Sequence, residues 1–170
     1  MSSTDSAVSI LDDSRTQERE RIVELLTKAY WMEIETVMNY VAGSINPDGV
    51  RARQIAASLE EDVQEELGHA QLFGQRIKDL YGVVPSSVDF KPEQTFMQPP
   101  AHQTDDVGLI RGVIEAETGA IEHYSRIIAE TEEIDPVTQD MVIDILHDEE
   151  GHRRLFEGFL REYEQEGKAS

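Results

Sequence analysis

The sequence predicts an all-α fold: a four-helix bundle made of two helical hairpins joined by one long crossover. Three observations predict it. Four stretches of roughly 28–35 residues carry apolar side chains at helical spacing, with no convincing strand pattern. A connector with four prolines divides the chain near its middle. The second half then repeats two motifs of the first, at offsets of 83 and 84 residues.

Residues 1–14, rich in Ser and Asp, read as a flexible N-terminal tail, and residues 15–165 as the bundle. The first helix is expected from about Arg15 to Gly43, where Ile22, Leu25, Leu26, Ala29, Met32, Val37, Tyr40 and Val41 recur at helical spacing. The segment GSINPDG ends it, and Pro47 suits the first turn of the next helix. That second helix runs to Tyr81 with Ile55, Leu59, Val63, Leu67, Phe73, Ile77 and Leu80 on its apolar face, and Gly82 reads as its C-terminal cap. Residues 83–104 contain Pro85, Pro92, Pro99 and Pro100 together with Phe90, Phe96 and Met97, a composition that packs against a bundle and spans its length. Thr104-Asp105-Asp106 opens the third helix, which reaches about Glu133. Asp135-Pro136 is a cap followed by proline at the first helical position, and the fourth helix continues to about Glu164.

Composition limits the chemistry. With no cysteine in 170 residues, disulfides, thiolate zinc sites, iron–sulfur clusters and cysteine nucleophiles are excluded. A transition metal here must be held by imidazole and carboxylate, ligands that suit iron, manganese or zinc. The formal charge of −20 repels phosphate, so nucleic acid is not an expected partner. The same charge reads either as a salt-tolerant, solubilising surface or as one that attracts metal cations. No stretch approaches the ~20 apolar residues of a membrane span, and the N-terminal segment has acids where a signal peptide has Lys or Arg. A soluble, cytoplasmic protein is expected.

The repeat carries the chemistry. Residues 65–73 read EELGHAQLF and residues 148–156 read DEEGHRRLF, so Glu66 aligns with Glu149 and His69 with His152. Residues 33–40 read EIETVMNY and residues 117–124 read ETGAIEHY, so Glu33 aligns with Glu117 and Tyr40 with Tyr124. Residues three apart share a helix face, so Glu66 and His69 reach one metal together, as do Glu149 and His152. One Glu from each of the other two helices completes four carboxylates and two imidazoles, a dinuclear carboxylate set. Two divalent cations balance four carboxylates, so such a site is close to neutral when buried. Glu35 competes with Glu33, and Glu115 with Glu117; the repeat register and the tyrosine seven residues on favour Glu33 and Glu117. Glu65 and Asp148 read as surface acids or as acceptors for the imidazoles. Tyr40 and Tyr124 read as core residues or as donors to a buried carboxylate. Phe73 and Phe156 read as core, His102 and His123 as non-ligands, and Asp144-x-x-His147 as a surface pair.

These residues resemble the ferritin-like superfamily, bacterioferritin above all. The stretch ILHDEEGH at residues 145–152 is similar to the fourth-helix signature of bacterioferritins, and the resemblance spans about residues 18–164. It implies a ferroxidase centre within one subunit that takes two iron ions, with manganese or zinc as alternatives. Glu33 and Glu117 would each be terminal on one iron, Glu66 and Glu149 would bridge, and His69 and His152 would each cap one iron. Bacterioferritins carry a haem-binding methionine directly after the second-helix Glu. Leu67 stands there, so no haem is expected. Only about twenty residues follow Glu149, leaving no room for the fifth helix of 24-subunit cages. A homo-oligomeric cage of twelve Dps-like subunits, with a bacterioferritin-type centre, is therefore preferred over 24. The expected activity is oxidation of Fe(II) by O2 or H2O2, with iron storage and peroxide detoxification. The alternative is a non-storage di-metal oxidase or manganese-catalase-like enzyme.

Overall fold

The computed structural model describes residues 8–169, and among these there are four long helices and no strand. They are α1 (Thr16–Ile45), α2 (Ala52–Asp79), α3 (Asp106–Thr131) and α4 (Pro136–Ala169). Helices α1 and α2 pack as one hairpin and α3 and α4 as the other. The hairpins meet mainly through α1 and α3. At ~1.5 Å per residue the helices are about 40–50 Å long.

Each helix buries a stripe whose members alternate four and three residues apart. On α1 it is Ile22, Leu26, Ala29, Glu33, Thr36, Tyr40 and Gly43. On α2 it is Ile55, Leu59, Asp62, Glu66, His69 and Phe73. On α3 it is Ile110, Val113, Glu117, Ala120, Tyr124 and Ile127, and on α4 it is Thr138, Val142, Ile145, Glu149, His152 and Phe156. This spacing keeps one seam inward along a bundle of nearly parallel axes. Apart from Thr138 at the start of α4, each stripe is apolar at its ends and polar in the middle. Two hydrophobic clusters result, one around Leu26, Phe73, Tyr124 and Ile145, the other around Tyr40, Leu59, Val113 and Phe156. The polar centre lies between them. Val41 faces outward, and Val63 and Leu67 are only half-buried, because the inward positions beside them belong to Tyr40, Asp62 and Glu66.

The connections differ in detail from the sequence expectation. Pro47 precedes α2 by a turn that includes Gly49 at φ +128°, and the helix begins only after it, at Ala52. At the end of α2 the left-handed residue is Tyr81 (φ 63°), not Gly82. The amides of Tyr81 and Gly82 donate back to Lys78 O at 3.0 Å and Ile77 O at 2.8 Å, the Schellman pattern. Gly82 is required for space: a Cβ there would lie 2.8 Å from Val23 Cγ1 and 3.0 Å from Ile77 O. Asp105 caps α3 by accepting from Gly108 N at 2.9 Å. Asp135 caps α4 by accepting from Thr138 N at 3.1 Å. Arg76 on α2 donates to Asp135 at 2.7 Å and to Thr138 at 2.8 Å, tying the two hairpins together in a buried network. Helix α4 runs to Ala169, past the expected end near Glu164.

The flexible tail expected over residues 1–14 falls partly on residues 1–7, which lie outside the described residues. Within the rest, Ile10 is buried against the core, and Arg19 Nη1 donates to the carbonyls of Ile10 and Asp12 at 3.0 Å. The crossover packs as expected. Met97 is buried, Phe90 stacks obliquely on Trp31, and Gly112 lets Phe96 O lie where any Cβ would be only 2.7 Å away. No helix among the described residues is long and apolar enough to cross a membrane.

Candidate metal centre

The bundle brings all six duplicated residues to one point. Glu33 and Glu117 arrive from α1 and α3, Glu66 with His69 from α2, and Glu149 with His152 from α4. All six are buried, with Glu66 at 0% exposure and Glu149 at 1%. Their ligand atoms fall into two quartets whose members lie within 4.8 Å of one another. One quartet is Glu33, Glu66, His69 and Glu149. The other is Glu66, Glu117, Glu149 and His152.

Glu66 and Glu149 belong to both, and each turns one oxygen to each side. His69 Nδ1 lies 3.4 Å from Glu66 Oε2, 3.2 Å from Glu149 Oε1 and 3.9 Å from Glu33 Oε1. His152 Nδ1 lies 3.3 Å from Glu66 Oε1, 3.7 Å from Glu149 Oε2 and 3.9 Å from Glu117 Oε1. Despite this closeness, Glu66 Oε1 and Oε2, Glu149 Oε1, and Nδ1 of both histidines have no hydrogen-bond partner. Buried polar atoms are almost always paired, and an orphan carries a desolvation cost of about 1–3 kcal/mol, more when charged. Five orphaned donor atoms converging on shared points fit a pair of divalent cations, as does an all-carboxylate and imidazole donor set.

The remaining atoms of these side chains are held by crossed contacts. Tyr40 on α1 donates to Glu117 on α3, and Tyr124 on α3 donates to Glu33 on α1, both through short hydrogen bonds. His152 Nε2 on α4 lies 3.2 Å from Glu65 Oε2 on α2. His69 Nε2 on α2 lies 3.4 Å from Asp148 Oδ2 on α4. Each outer acid thus serves the imidazole of the opposite helix. With Nε2 engaged there, Nδ1 is presented inward.

Without metal, burial and the neighbouring carboxylates favour protonation of part of the cluster. Burial, followed by the charges of Glu66 and Glu149, pushes Glu33 well above the usual carboxylate range. Burial and Glu149 do the same to Glu117. Burial also works against charge on Glu149, but the facing imidazoles of His152 and His69 and a proton shared with Glu117 outweigh it, lowering Glu149 to about 2. Burial and Glu149 push Glu66 up, and His152, His69 and Glu33 outweigh them to hold it below 4.5. For His69, burial opposes charge but Glu149 and Glu66 prevail, raising it to about 10. The same opposition lifts His152 to about 12. Burial and the adjacent Glu117 and Glu33 keep the Tyr40 and Tyr124 phenols protonated, so they remain donors.

Competing candidates lie elsewhere. Glu35 is buried but accepts backbone N–H bonds from Glu93 and Gln94 in the crossover, at 2.8–3.0 Å. Glu115 and His147 are exposed. His123 is buried with Nε2 2.9 Å from Leu25 O, and burial lowers its basicity. Asp62 was not singled out by the motif. It is buried, 3.7 Å from His152 Nε2, and burial raises it to about 6. Its repeat counterpart is Ile145, so the duplication could not flag it; the inward spacing 59, 62, 66, 69 could.

A sequence profile of the Ferritin family, described as a ferritin-like domain, matches residues 23–165. This chain belongs to the ferritin-like family. Among its relatives are a DNA protection during starvation protein of Pyrococcus furiosus and a bacterioferritin of Desulfovibrio desulfuricans. The former is 28% identical over 152 residues, covering 83% of this chain and 77% of the relative. The latter is 25% identical over 145 residues, covering 85% and 76%. Among solved structures, a dodecameric thioferritin from Bacteroides fragilis superposes with a TM-score of 0.78 at 25% identity, covering 89% of this ferritin-like chain and 90% of its own. The Desulfovibrio desulfuricans bacterioferritin, whose structure describes a diiron site in different catalytic states, gives 0.76 at 22% identity, covering 89% and 84%.

Proposed function

We propose that this ferritin-like chain is a ferroxidase that oxidises Fe(II) with O2 or H2O2 and stores the product inside a homo-oligomeric cage in the cytoplasm. The observation that carries this reading is the pair of quartets sharing Glu66 and Glu149, with orphaned donor atoms aimed at both. Two Fe(II) ions are the substrate, and each would lose one electron to the oxidant. Glu33, His69 and one oxygen each of Glu66 and Glu149 would hold one ion; Glu117, His152 and the remaining oxygens would hold the other. Tyr124 and Tyr40 orient the two terminal carboxylates. Glu65 and Asp148 fix the imidazoles and accept part of their positive charge.

Thr36 and Ala120 occupy, on α1 and α3, the position three residues after the glutamate where α2 and α4 carry histidine. These small side chains leave one face of the cluster unligated, with a cavity of about 10 Å³ against it, room for about one water. An oxidant needs such an open coordination position. The charge of −20 supports storage over turnover of a diffusing substrate, and the likeness to a dodecameric thioferritin supports twelve subunits over 24. The same charge repels duplex DNA.

The test is native mass with iron counted on the same peak, after anaerobic Fe(II) loading and exposure to air. A shell of about twelve subunits carrying many irons per chain is expected. A dimer holding two metals per chain would instead indicate a stand-alone di-metal oxidase or manganese-catalase-like enzyme. Glu66→Ala and Glu149→Ala should each abolish rapid oxidation, because each removes an oxygen from both quartets. Normal stopped-flow kinetics in either variant would overturn the assignment.

A further inference from the structure

A groove of about 590 Å³ runs along the outside of the bundle between α1, α3 and the crossover. Its lining is net acidic, with Glu24, Glu35 and Glu122 on the helices and Asp89 and Glu93 on the crossover against Lys28 and Lys91. At its floor are Met32, Gln94 and Ala116. These three residues also line the small cavity that touches Glu33, Glu66, Glu117 and Glu149. They are therefore the partition between the outer groove and the metal cluster. The cavity holds about one water, so a hydrated cation cannot pass until part of the partition moves.

Ala116 and Met32 lie on the helices, and Met32 packs against the apolar core. Gln94 lies on the crossover, outside any helix. Its Nε2 donates to Thr36 Oγ1 at 2.8 Å, and its Oε1 accepts from Asn39 Nδ2 at 2.8 Å. Its backbone N–H, with that of Glu93, is clamped by the buried Glu35 carboxylate. The backbone is pinned while the side chain is held by two neutral hydrogen bonds, each exchangeable for water at small net cost. That is the construction of a swinging gate on a fixed post.

We propose that the groove is the path by which divalent cations reach the centre, and that the Gln94 carboxamide is its gate, positioned by Thr36 and Asn39. The inference rests on the dinuclear reading of the six-residue cluster. Glu35, which competes with Glu33 in the sequence, then anchors the crossover so that only the Gln94 side chain moves.

The experiment is anaerobic stopped-flow uptake of Co(II), read by its visible absorption, with cobalt per chain measured at the end point. Gln94→Ala removes the gate, and uptake should be roughly tenfold faster, the effect of losing one to two net hydrogen bonds. Gly119→Leu tests the groove from the other side. Gly119 lines it, and a Cβ there meets nothing within 4 Å, so the substitution fills the groove without disturbing the helix. Uptake should slow several-fold. All three proteins should end at two Co(II) per chain. Equal rates at an unchanged end point would overturn the gate and leave the centre standing. Failure of the wild type to take up two Co(II) would overturn the centre, and the gate with it.

Discussion

At the scale of single residues, the crossed tyrosines make the sharpest claim. Tyr40 and Tyr124 are fully buried, and each phenol donates to the terminal glutamate of the other hairpin. Phenylalanine would keep the buried ring but remove the donor, freeing a carboxylate to rotate. Tyr124→Phe should weaken divalent binding at the Glu33 position, and Tyr40→Phe at the Glu117 position, each by roughly tenfold. Zn(II) competition titration reads both steps. A double variant with wild-type affinity at both positions would show that the phenols only pack. These partners were partly legible from sequence. The +7 spacing put each tyrosine on its glutamate's face but left open whether it packs or donates, and said nothing of the exchange between hairpins. Glu35 illustrates the reverse. It lies two residues from Glu33 and carries the same carboxylate, and only the crossover's backbone amides explain why it turns away from the six-residue cluster.

At the scale of elements, the helices were readable because their inward stripes are long and regular, whereas their ends depend on tertiary detail. Tyr81 takes the left-handed position expected of a glycine because Gly82 is needed next to it, against Val23 and Ile77. The start of α4 shows how an end is secured. Asp135 is 0% exposed, caps the helix at Thr138 N and receives Arg76 from α2. The Asp135-Pro136 signal predicted the cap; nothing local predicted the arginine, which comes from 59 residues away. Asp135→Ala would leave a buried guanidinium without its partner, at a cost of about 3–5 kcal/mol. Urea unfolding, compared with wild type at the same protein and metal concentration, should show a lowered midpoint at unchanged slope. A loss below about 1 kcal/mol would mean that Arg76 finds water or another acceptor.

At the scale of the whole molecule, the two hydrophobic clusters hold four carboxylates and two imidazoles together whether or not metal is present, and this sets the response to pH. In the unfolded chain the glutamates titrate near 4.5 and the histidines near 6.5. Folded and metal-free, Glu33 and Glu117 keep protons above 4.5, so folding takes up protons there and stability falls as pH rises. His69 and His152 contribute stability that is complete below 6.5 and lost as pH climbs through about 10 and about 12. Glu66 and Glu149 act oppositely: their contribution is present above 4.5 and lost as pH falls, for Glu149 through about 2. The metal-free bundle should therefore be most stable near pH 4.5, losing stability above it through Glu33 and Glu117 and, beyond about 6.5, through the histidines as well. On that alkaline side each proton retained by the fold costs about 1.4 kcal/mol per pH unit. Even one such proton lowers Tm by about 6 °C or more between pH 6.5 and 8.5. Two divalent cations replace these protons, so their binding near pH 7 should release about two protons per chain from the imidazoles, with any still held by Glu33 and Glu117 adding to that. The metal-loaded protein should then lose the alkaline decline. Calorimetry of both forms, with a pH-stat titration of the metal-free one, checks the argument. A flat metal-free profile with release of at most one proton would mean that the cluster is charged, wet and open, and that the orphaned atoms of Glu66, Glu149 and the two histidines meet water in place of each other.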